Sequence, residues 1–129
     1  MRKLYVAVVA VTVGVHLAYL LYVPCGGFLA LRRPRSIALH VLAVAWGVAV
    51  VVFGLRCPLT SVESWARRRA DMDPLPTSGF VDRYVTGRFV PPGRVGAAQA
   101  LAFTAAAISW GVFGRRVTGR GCRGMPTAG

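Results

Sequence analysis

The sequence predicts an all-α membrane protein: a small bundle of three transmembrane helices plus a short interfacial helix. Three observations carry this. Residues 4–23, 37–55 and 95–113 form apolar blocks of 20, 19 and 19 residues without one Asp, Glu, Lys or Arg. The charged residues gather in the segments between and beside them. The chain as a whole has 129 residues, 55% of them hydrophobic, with a mean hydropathy of +0.54. A water-soluble core of that size would show amphipathic spacing throughout rather than unbroken blocks.

The first span is expected over Leu4–Val23. At about 1.5 Å per residue, 20 residues reach about 30 Å, the thickness of the hydrocarbon core. Arg2 and Lys3 ahead of it also fit a signal peptide, but secretory apolar regions run only about 7–15 residues and no small-x-small cleavage site follows. A lipoprotein signal ending at Cys25 would want small residues where Val23 and Pro24 stand. A retained helix is therefore expected. Pro24, Cys25, Gly26 and Gly27 weaken helical continuity, so the helix either ends there or kinks and continues through Phe28–Leu31. Arg32-Arg33-Pro34-Arg35 reads as a tight, charged connection to the second span, Ile37–Leu55.

The 37-residue segment Pro58–Arg94 holds all four acids, Glu63, Asp71, Asp73 and Asp82, and is too charged to span. Within it, Thr60 followed three residues later by Glu63 has the spacing of a capping box, in which each side chain satisfies the other's backbone N–H. That spacing predicts an interfacial helix over about 61–70, with Trp65 in the aromatic belt and Arg67 and Arg68 turned toward headgroups. Phe80, Tyr84 and Phe89 read as interfacial anchors or loop packing. The third span, Val95–Phe113, completes a single domain over 1–116, and 117–129, rich in Gly and Arg, is expected to be a disordered basic tail.

The net charge of +12 arises from 16 Lys and Arg against four acids. Such a balance can signal nucleic acid. Here the arginines flank the apolar blocks, where cations meet lipid headgroups, so the lipid bilayer and not nucleic acid is the expected partner. Small residues recur at four-residue spacing in Gly14/Ala18, Ala43/Gly47 and Gly96/Ala100, which lets helices approach closely in lipid and admits self-association or a membrane protein partner.

Five residues stand out as candidate functional groups. His16 lies mid-span, about 18 Å from Leu4 along the axis, where an imidazole needs a partner or a ligand. His40 sits within a turn of the Arg-rich connection. Cys57, Thr60 and Glu63 form one corner at the membrane surface; a carboxylate near low dielectric can exchange protons there, beside the thiol, whereas the capping box needs no chemistry. The two histidines could share a haem or metal if the first helix ends at Val23, with a depth offset of about 6 Å. An unbroken helix to Leu31 raises the offset to about 16 Å and forbids it. Cys25, Cys57 and Cys122 form no CxxC pair, the aspartates lack the spacing of a calcium loop, and no catalytic set or metal signature can be assembled.

The string Cys57-Pro58-Leu59-Thr60, with Glu63-Ser64-Trp65, resembles the bacterial membrane-protein family catalogued as domain of unknown function 2784. The resemblance covers about Val6–Phe113 and takes in His16, Gly26-Gly27, His40 and Trp46. Phe80-Val81-Asp82-Arg83-Tyr84 departs from the family's Phe-x-x-His-Tyr by carrying arginine for histidine, and Val90-Pro91 stands where the family has Tyr-Pro. The resemblance implies a membrane protein without implying a reaction. The functional expectation is a multi-pass protein of the bacterial inner membrane, more an interaction or assembly protein than an enzyme. The alternatives are a redox-associated protein binding haem, metal or quinone, and an interfacial enzyme acting on lipid.

Overall fold

The computed structural model describes residues 1–121. Five helices follow one another among the described residues: α1 (Arg2–Ala30), α2 (Ser36–Phe53), α3 (Pro58–Arg69), α4 (Phe80–Tyr84) and α5 (Val95–Gly121). No strand occurs among the described residues, only an isolated bridge between Thr86 and Val90. α1, α2 and α5 are each long and apolar enough to cross a membrane, so the protein is an all-α membrane bundle.

α1 does not stop at Pro24. It runs 29 residues, about 44 Å, with the proline inside it. A proline in a spanning helix leaves one carbonyl without its N–H, a loss that neighbouring helices in lipid readily absorb. Gly26 and Gly27, read from sequence as weak points, are instead where the other two spans touch α1. A Cβ on Gly26 would lie 2.6 Å from the His40 ring, and one on Gly27 would lie 1.7 Å from Ser109 Oγ. Both positions are buried. The α1–α2 hairpin turns through Arg32–Arg35, with Ser36 N–H donating to Arg33 O at 2.9 Å.

α2 is antiparallel to α1 and α5 is parallel to it. Tyr19 donates its hydroxyl to Ala43 O at 2.7 Å, and Gly47 lets that ring in, since a Cβ there would lie 2.9 Å from the Tyr19 oxygen. Val23, Val44 and Ala106 form the core between the three helices, flanked by Tyr19, Phe103 and Trp110. The outer faces are apolar as well: Leu21, Leu42 and Leu101 are 68%, 68% and 71% exposed. Water would penalise such a surface and lipid does not.

Two boundaries differ from the sequence expectation. α2 ends at Phe53 because Gly54 adopts the left-handed conformation (φ +62°) that closes a helix, ahead of the expected end at Leu55. α5 continues to Gly121, so 117–121 are helical rather than a disordered tail. Residues 122–129 of that expected tail lie outside the described residues.

Candidate functional site

α3 begins three residues earlier than the capping box predicts. Cys57 is its N-cap, in extended conformation, and Pro58 occupies the first turn, where its fixed φ and missing N–H are best tolerated. Thr60 is therefore already inside the helix, and no side chain caps its start. The capping box does not form. Glu63, a turn further in, is released to do something else.

The helix packs against α1. It stands antiparallel against the N-terminal half of α1: Cys57 shares a cavity wall with Tyr19, the Trp65 ring meets Tyr5 edge-on at 5.5 Å, and Arg2 Nε donates to Ala70 O at 3.2 Å. Glu63, Ala66, Arg67 and Ala70 face inward, while Val62 and Trp65 remain 44% and 43% exposed. Arg67 thus points into the protein, not to headgroups as its sequence context suggests.

Its destination is Glu63. Arg67 Nε donates to Glu63 Oε1 at 2.9 Å, Nη1 donates to Asp73 O at 3.1 Å, and Nη2 donates to the Tyr84 hydroxyl. Tyr84 in turn donates to Glu63 Oε1 at 2.9 Å. Glu63 is fully buried and Arg67 nearly so. Burial of the Tyr84 hydroxyl, reinforced by its bond to Glu63, pushes its pKa above the usual tyrosine range. Desolvation lowers the Arg67 pKa, but the bond to Glu63 and the neighbouring tyrosine outweigh it, so the net shift is upward. The guanidinium stays charged and Tyr84 stays protonated.

α4 ties this pair to the membrane span. The Phe80 ring stacks on His16 with centroids 3.9 Å apart and planes 7° from parallel, and on its other side meets Tyr84 at 4.7 Å. His16, Phe80, Tyr84, Glu63 and Arg67 are therefore one continuous cluster drawn from α1, α4 and α3. Two of its polar atoms, His16 Nδ1 and Glu63 Oε2, are buried with no hydrogen-bond partner among the described residues. Each such atom costs about 1–3 kcal/mol.

A cavity of about 960 Å³ opens beside the cluster. Thr60, Ser61, Ser64, Arg56 and Arg68 line it, together with His16. Next to it lies a smaller, mainly apolar slot of about 130 Å³ between α1, α2 and α5, lined by Tyr19, Leu20, Trp46, Ala102 and Phe103. His16, Val50, Val51, Cys57, Val81 and Gln99 line both. The larger cavity has a mixed polar and apolar lining, and the smaller one is mainly apolar.

His16, Cys57 and Thr60 of the sequence candidates come together on this wall. Glu63 belongs to the cluster without lining the cavity, and its partners are Arg67 and Tyr84, not Cys57. His40 is elsewhere. The Trp110 indole N–H, which can only donate, reaches His40 Nδ1 at 2.9 Å, so Nε2 carries the ring proton and donates to Val23 O at 2.9 Å. Both nitrogens are occupied in joining α1, α2 and α5. His40 sits level with Val23, seven residues and about 10 Å along α1 from His16, so the two histidines share no mononuclear site.

Sequence reasoning missed Phe80 as the link to His16 and Arg67 as the partner of Glu63. The second was signalled by the i,i+4 spacing of opposite charges. The first had no local signal, because 64 positions separate the rings.

No curated protein and no solved structure matches the chain. One family does, and its match runs over residues 6–114, from the first turns of α1 through the apolar part of α5. The chain that carries this cluster and these two adjoining cavities belongs to the family described as Protein of Unknown function (DUF2784).

Proposed function

We propose that this protein binds an amphipathic small molecule at the edge of a bacterial inner membrane, its polar end in the larger cavity and its apolar end in the slot between the spans. One observation carries the reading: a cavity lined by Thr60, Ser61, Ser64, Arg56 and Arg68 shares a wall with an apolar one, and His16 belongs to both linings. Ligand sites are typically concave, of about 300–1,000 Å³, with a few polar groups on an apolar ground. Helical spans, as opposed to a barrel, support the inner membrane as the location. The reading needs no turnover. It keeps a quinone or a lipid as the class of occupant and leaves haem held by both histidines aside, because His40 is already bonded at both nitrogens.

The test is extraction. Protein purified in mild detergent is expected to yield a near-stoichiometric amphiphile on organic extraction, and Ala102→Trp, which fills the slot, is expected to lose it. An extract indistinguishable from that of the Trp variant would sink the reading.

An assembly role is a second reading, and one contrast favours it. Gly47 is used within the bundle, against Tyr19 and Phe103, whereas Gly14 and Gly96 have open space where a Cβ would stand. A partner helix, from another protein or a second copy, could approach there closely. Cysteine crosslinking at Gly14 in native membranes checks it; only monomer and no adduct would count against it.

A further inference from the structure

We infer that the polar end of the occupant is an anionic, phosphate-type group, seated between the N-terminus of α3 and the guanidiniums of Arg56 and Arg68. The inference rests on the amphiphile reading above and adds the chemistry of the head.

Three independent features of the cavity point the same way. The first is the helix end. α3 is 12 residues long and starts without a side-chain cap. Pro58 has no N–H, and Ser61 N–H already donates to Cys57 O at 3.1 Å. The N–H of Thr60, a lining residue, belongs to the first turn, where no helical carbonyl precedes it. Such an end favours an anion through both its free donors and its dipole. Thr60, Ser61 and Ser64, from the first two turns, line the same cavity.

The second feature is charge. Arg56 and Arg68 stand on the cavity wall against one carboxylate among its described lining residues, Asp82, which is already bonded by Ser78 Oγ at 2.7 Å. Planar guanidiniums suit phosphate oxygens, and an ammonium head would meet repulsion from both. The third is His16, 5% exposed, on the wall of both spaces and with Nδ1 unpartnered. Its place at the junction is where a head joins its chain.

Arg67, by contrast, is not part of this site. Its donors are committed to Glu63, Asp73 and Tyr84, so it shapes the wall without offering itself.

The experiment is a titration of the full chain in neutral maltoside detergent with farnesyl phosphate, farnesol and inorganic phosphate, read by calorimetry. Farnesyl phosphate is expected to bind at least about tenfold more tightly than farnesol, the size of one charge-assisted hydrogen bond. Arg68→Gln is expected to remove that preference, while Arg115→Gln, at the far end of α5, keeps it. Thermal unfolding of each variant verifies that it is folded. Equal affinity for the phosphate and the alcohol would overturn the anionic head and leave the amphiphile reading standing. Binding of neither would overturn both. Inorganic phosphate binding as tightly as farnesyl phosphate would uphold the anion site, assign it to a free anion and overturn the amphiphile. A preference that survives Arg68→Gln and Arg56→Gln together would overturn the seat proposed here.

Discussion

The indole N–H of Trp110 lies 2.9 Å from Nδ1 of His40, and this bond decides which nitrogen of the imidazole holds its proton. With Nδ1 accepting, Nε2 donates to the carbonyl of Val23, and one side chain joins three spanning helices. Trp110→Phe is expected to destabilise the bundle by about 1–3 kcal/mol, since it leaves a buried acceptor bare. His40→Phe removes the acceptor together with the donor and is expected to add little when combined with Trp110→Phe. Thermal unfolding in mild detergent measures both; full additivity of the two losses would refute the coupling.

The Glu63–Arg67 pair makes a sharper demand. Removing one member leaves the other charge buried and alone, a loss of about 3–5 kcal/mol. Arg67→Met is therefore expected to unfold the α3–α4 module. Replacing both, as Glu63→Leu with Arg67→Met, is expected to recover much of the loss. Limited proteolysis between Asp71 and Ser78 reports on the module without requiring the spans to melt.

Tyr84 gives the pair a pH dependence. Its pKa is raised in the folded protein, so between the ordinary tyrosine value near 10 and the folded value the native state holds the proton that the unfolded state has lost. Stability from this group is complete below about pH 10 and falls as pH rises through the folded pKa. The unfolding temperature is expected to drop above about pH 10 in the wild type and to drop less in Tyr84→Phe. Identical alkaline profiles would remove Tyr84 from the account.

Gly27 tests the packing of the spans. A methyl group there meets Ser109 Oγ at 1.7 Å and Ser109 Cβ at 2.7 Å, so one element has to move. Gly27→Ala is expected to cost about 1–3 kcal/mol, as overpacking generally does. Ser109→Gly in the same chain is expected to restore part of it, whereas Gly14→Ala, with nothing within 4 Å, is expected to be silent.

The three spans were legible because hydrocarbon thickness imposes a length that the uncharged blocks meet; only their ends differed. α1 outran its expected end because proline and glycine are judged locally, while in lipid the gain from letting His40 and Ser109 approach Gly26 and Gly27 is decided by other helices. The site was half legible. His16, Cys57 and Thr60 were named and do share a wall. Glu63 was named for the wrong reason: Thr60-x-x-Glu63 fits a capping box, but Pro58 is a better helix opener and moved the start upstream. Arg67 looked like one more headgroup arginine among neighbours of the same kind. Its direction depends on Tyr84 and on the Asp73 carbonyl, which lie beyond any local window.

The stack of Phe80 on His16 also orders events in time. In a chain made from its N-terminus, Phe80 is added 64 residues after His16. At about 5–20 residues per second, that interval lasts roughly 3–13 s. For those seconds the imidazole lacks its ring partner, and the Glu63–Arg67 pair, once made, waits a further 17 residues for Tyr84 to complete it. α4, the last short helix to be made, is therefore the latch: a chain ending before residue 80 would lack the partners of both His16 and Glu63 that α4 supplies.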